Sequence, residues 1–123
     1  MGRFERLRRP FVALVALHSF GVGLALVFAT SWGLAFGGFT GEEPFFARQG
    51  GVFHLLVATA YWVEFERYGR MDFMILAKGA AVVFLLASLA LGAPPLLVGL
   101  SALGDGAMLV VALILRPRPR EPS

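Results

Sequence analysis

Cysteine is absent from the 123 residues, which excludes disulfides, thiol redox chemistry and thiolate metal sites while leaving the compartment open. Charge is scarce as well. Asp, Glu, Lys and Arg make up 15% of the chain, against about 25% in soluble domains. Lysine occurs once, at Lys78, and histidine twice, at His18 and His54. No metal-ligand spacing, glycine-rich phosphate loop or nucleophile–base pattern is present. The segment from Gly99 to Gly106 does not fit a phosphate loop and falls within an apolar run. These residues offer no catalytic signature, no cofactor set and no metal centre.

What the chain has is hydrophobicity, at 58% of its residues, more than a soluble core of this size can hide. The apolar residues form long blocks, the pattern lipid demands. Four spans can be read, at 11–36, 49–65, 72–91 and 95–115. Gly37, Gly38, Thr40, Gly41 and Pro44 break the first from the second, and Gly92, Pro94 and Pro95 separate the third from the fourth. At about 1.5 Å per residue, some 20 residues cross a hydrocarbon layer of about 30 Å. The second span is the shortest and most polar. The first block is far longer than the 7–15 apolar residues of a signal peptide core, so it reads as a retained span.

The net charge of +3 does not point to nucleic acid, because the basic residues flank the apolar blocks. With four spans, Arg3, Arg6, Arg8, Arg9, Arg67, Arg70, Arg116, Arg118 and Arg120 fall on one side. Arg48 stands alone on the other, beside Glu42 and Glu43. Short loops with that asymmetry place both termini in the cytoplasm. The expected fold is therefore an all-α membrane protein, one domain over 1–123, a four-transmembrane-helix bundle in a bacterial inner membrane. The basic tail from Arg116 to Arg120 reads as a flank that also attracts anionic lipid. Trp32, Trp62 and Tyr68 lie near expected helix ends, where amphipathic rings prefer the interface.

In lipid, small residues let helix backbones approach. The first span offers Gly21, Ala25, Ala29 and Gly33 as a four-residue ladder, and the fourth offers Gly104. These are expected packing surfaces, within the bundle or between copies.

Ionisable residues inside spans are costly, about 2.5–3.5 kcal/mol each on insertion scales, and usually face inward in pairs. Helical rise sets His18, Lys78 and Asp105 in the cytoplasmic half or near the midplane, with Glu64 closer to the edge. His54, Tyr61 and Glu64 share roughly one face of the second span, and Ser101 stacks one turn before Asp105. The sequence thus permits a polar cluster of His18, Tyr61, Glu64, Lys78, Ser101 and Asp105. Either Lys78 and Asp105 form a structural pair while Glu64 snorkels to the interface, or the cluster binds a proton or ligand. A haem held by His18 and His54 is disfavoured, because their estimated heights differ by about 11 Å.

The layout, with Arg48-Gln49-Gly50-Gly51 opening the second span, Tyr61 closing that face, Lys78 early in the third and Gly104-Asp105 in the fourth, resembles the small four-span DoxX-like inner-membrane proteins. The resemblance covers almost the whole chain and implies a compact membrane bundle without an assured activity. Small multidrug transporters have a similar layout, but their carboxylate sits in the first span, and this first span has no acidic residue. The expected function is a structural or accessory component of a larger membrane complex, with the bilayer as its main partner and no catalysis of its own. The alternative is a small proton-linked transporter or ligand-binding protein, working as a homodimer around Lys78, Glu64 and Asp105.

Overall fold

The computed structural model describes residues 2–39 and 44–118. Among them the chain forms five helices and no strand: α1 (Arg3–Phe28), α2 (Thr30–Phe36), α3 (Pro44–Tyr68), α4 (Asp72–Ala90) and α5 (Pro95–Leu115). Thr40, Gly41, Glu42, Glu43 and Arg120, which enter the sequence reading, lie outside the described residues.

Three helices, α1, α4 and α5, are long and apolar enough to cross a membrane. At 25 residues, α3 is long enough at about 37 Å, but Arg48, Gln49, His54 and Glu64 make it less apolar. The surface explains what the helices require. Large apolar side chains point outward all along them, including Leu17, Phe28, Leu76, Val83 and Leu103, while a lysine is buried. Water would penalise such a continuous apolar exterior. Hydrocarbon would not, because every helix satisfies its own backbone groups.

The apolar run at 11–36 is two helices rather than one. The backbone departs from helical geometry at Ala29 (φ −121°, ψ 45°). The Thr30 hydroxyl then donates to the carbonyls of Leu26 at 2.6 Å and Val27 at 3.2 Å. Such back-bonding replaces donors lost from the interrupted ladder and bends the helix. At its other end α1 starts at Arg3, so the arginine arm extends the helix beyond the apolar run, as arginine's helix propensity allows.

The helices form two antiparallel hairpins, α1 on α3 and α4 on α5, and most of the packing lies within each. In the first hairpin Gly23 faces Gly51. A Cβ on Gly23 would lie 2.8 Å from the Gly51 carbonyl oxygen, and one on Gly51 would lie 2.9 Å from that of Gly23. Nothing larger than hydrogen fits at that crossing. Within one chain the expected ladder makes no such crossing: Gly21 and Gly104 face open space, and Gly33 has only Leu26 of its own segment near it, which leaves contact between copies as the remaining expectation. Ala25 is half-buried and Ala29 sits exposed at the helix break.

The hairpins join through a core at the end that carries the arginines. Val12 and Val15 of α1, Tyr61 of α3, Met71 in the turn, Met74 of α4, and Ala112 and Leu115 of α5 form one buried cluster. At the opposite end the hairpins touch again, where Gly37 approaches Leu97 and Gly38 approaches Pro94.

Candidate functional site

Midway between those two contacts lies the buried charge. On α4, Met71, Met74 and Lys78 fall at helical spacing on one inward stripe. Lys78 Nζ donates to Asp105 Oδ1 of α5 at 2.8 Å, with the two side chains only 6% and 17% exposed. The buried Tyr61 ring lies 6.0 Å from the ammonium, at the outer limit of a cation–π contact, and stacks obliquely near Phe73. Ser101 is half-buried one turn before Asp105. Tyr61, Lys78 and Asp105 are therefore brought together across three helices.

Glu64 is placed elsewhere. Its two carboxylate oxygens accept from the Phe73 backbone N–H at 3.0 and 3.1 Å. That N–H is one of the unsatisfied donors of the first turn of α4. The turn before it is tight because Gly69 adopts φ +61°, a left-handed conformation that glycine accepts without a Cβ penalty. Glu64 thus reaches over the turn and caps the next helix. Glu64→Ala is expected to cost about 0.5–2 kcal/mol, the range for losing a cap, read as a lower unfolding midpoint in detergent. A change below about 0.2 kcal/mol would remove the capping role.

The remaining charges at this end stitch the helices together. Arg8 Nε donates to the Leu115 carbonyl at 2.6 Å, satisfying an orphan acceptor at the C-terminus of α5 where positive charge is favoured. Arg9 pairs with Glu66 at 3.2 Å and lies over Trp62. Asp72 takes Arg70 from its own turn and Arg116 from the end of α5 at 3.1 Å. Those pairs are largely exposed, so each contributes at most about 1 kcal/mol. In the sequence these arginines stand as orientation signals, and Arg116 also as part of a lipid-attracting flank, because their contact roles have no spacing signature.

The histidines depart most from their estimated places. One antiparallel register runs from the Arg9–Glu66 pair to the Gly23–Gly51 crossing, which brings His18 and His54 to within about 3–4.5 Å of the same height. The 11 Å difference taken from span boundaries does not hold, because α3 begins at Pro44 and is longer than the apolar run within it. Both imidazoles lie on exposed faces. Glu64 stands apart from the Lys78–Asp105 pair, over the turn between α3 and α4.

Two shallow apolar grooves mark the surface. One, of about 430 Å³, lies between α1 and α5 at the arginine end, and another, of about 490 Å³, lies between α4 and α5 toward Pro95. Neither is lined by Lys78 or Asp105. In comparisons with known proteins, no family model, curated protein or solved structure matches this chain.

Proposed function

We propose that the chain is a structural or accessory subunit of a bacterial inner-membrane complex, spanning the bilayer four times with both termini cytoplasmic. The observation that carries this reading is how its in-span charges are used. Lys78 and Asp105 neutralise one another between α4 and α5, and Glu64 caps α4. Each is occupied in holding helices, and the grooves are apolar. The four-span count draws support from the clustering of Arg8, Arg9, Arg70 and Arg116 at one end. The length of α3 adds to it. The DoxX-like layout is consistent with the same reading.

Two measurements on the purified protein test this. The accessory role predicts comigration with larger partners in mild detergent, retained when Lys78→Met and Asp105→Asn are made together. Proton flux in liposomes that Asp105→Asn abolishes would overturn it. That outcome would favour a proton-linked carrier, a reading supported by the buried Lys78–Asp105 pair beside Tyr61.

A further inference from the structure

The groove between α1 and α5 has a shape and a charged mouth that fit one occupant. Phe4, Leu7, Phe11 and Leu14 line one wall, at the spacing of a single helix face, and Val111 and Ile114 line the other. From Phe4 to Leu14 the groove runs about 15 Å along α1, from the arginine-rich flank into the apolar run that begins at Phe11.

The mouth is basic. Arg3 immediately precedes Phe4 on α1. Arg8 is fixed there by its bond to the carbonyl of Leu115, itself a groove residue. Arg118 follows Leu115 by three residues, within about 10 Å by chain length. Among the described residues Arg3 and Arg118 have no ion-pair partner.

We infer that this groove is a binding site for an anionic phospholipid, with one acyl chain between α1 and α5 and the headgroup phosphate held by Arg3, Arg8 and Arg118. Basic clefts between membrane helices are established headgroup sites. A second copy of the chain suits the groove less well, because two-fold packing would bring these arginines against their own like charges. The inference needs only that α1 and α5 lie in a membrane, and it is independent of the accessory role and of the span count.

Native mass spectrometry of the purified full chain, titrated with phosphatidylglycerol or phosphatidylcholine of equal chain length, tests it. The wild type is expected to hold one phosphatidylglycerol in preference to phosphatidylcholine. Replacing Arg3 and Arg118 by glutamine is expected to weaken that binding about thirtyfold, from roughly 1 kcal/mol for each basic residue near the headgroup. Ile114→Trp, and separately Leu14→Trp, fill the groove from opposite walls while keeping every arginine, and each is expected to abolish the preference. Equal retention of both lipids overturns the inference. So does a wild-type preference in both tryptophan variants, which would reduce the effect to diffuse surface charge. A dimer that dissociates in the tryptophan variants, with no lipid retained by the wild type, would give the groove to a second copy instead.

Discussion

Lys78→Met is expected to destabilise the protein by about 3–5 kcal/mol, because it leaves Asp105 as a buried charge without its partner. The double change Lys78→Met with Asp105→Asn is expected to recover most of that loss. With no ion to strand, the site keeps its shape and loses only a pair whose desolvation cost had offset much of its attraction. The measurement is a double-mutant cycle on unfolding in mixed micelles, where coupling above about 2 kcal/mol is expected for groups in contact. Additive single effects would mean that the 2.8 Å contact does not organise the helices. Asp105→Asn alone is the informative companion, since it leaves the ammonium beside Tyr61, whose ring can offset only a small part of the missing charge.

Gly23→Ala should have the next largest effect, about 1–3 kcal/mol, the range for forcing extra volume into a closed contact. Its new methyl would sit 2.8 Å from a backbone oxygen of Gly51, which no rotamer change can relieve. Hence α1 and α3 must move apart along their length. Gly51→Ala should behave alike, since its Cβ meets Gly23 oxygen at 2.9 Å. Gly21→Ala is the control. Its Cβ has nothing within 4 Å, and the change should stay within about 0.5 kcal/mol. If all three variants unfold at the same denaturant concentration, the close crossing does not hold the hairpin together.

That control also shows where the sequence was readable and where it was not. Helical class and membrane character were legible, because long apolar runs cannot be hidden from water at this chain length. Helix faces were not. A helix apolar on all sides has no contrast between inner and outer stripes, so Gly21-Ala25-Ala29-Gly33 read as plausibly as the stripe that is buried, Val12, Val15, Ser19 and Gly23. The pairing of Lys78 with Asp105 was one of two open to Lys78, with Glu64 the other, because only a few ions had to be matched by depth. His54 was set at the wrong height, whereas Glu64 lies near the edge where its depth was read. Depth counted from the ends of apolar runs ignores helix that continues past them, and α3 runs from Pro44 to Tyr68. Register from a side-chain contact, such as Arg9 with Glu66, is what the sequence does not supply. The break at Ala29 was equally hidden, since it depends on where the Thr30 hydroxyl finds its acceptors.

Everything proposed about orientation turns on whether α3 crosses the bilayer, and the lack of native cysteine makes that directly measurable. Single cysteines at Phe39, Tyr68 and Leu91, positions in or beside the connections between helices, can be probed with a membrane-impermeant maleimide on intact cells and on inverted vesicles. With α3 through the bilayer, Phe39→Cys and Leu91→Cys are expected to label on intact cells, while Tyr68→Cys labels only on inverted vesicles. Labelling of Phe39→Cys and Tyr68→Cys from the same side would contradict it, for α3 would then lie on the membrane rather than through it.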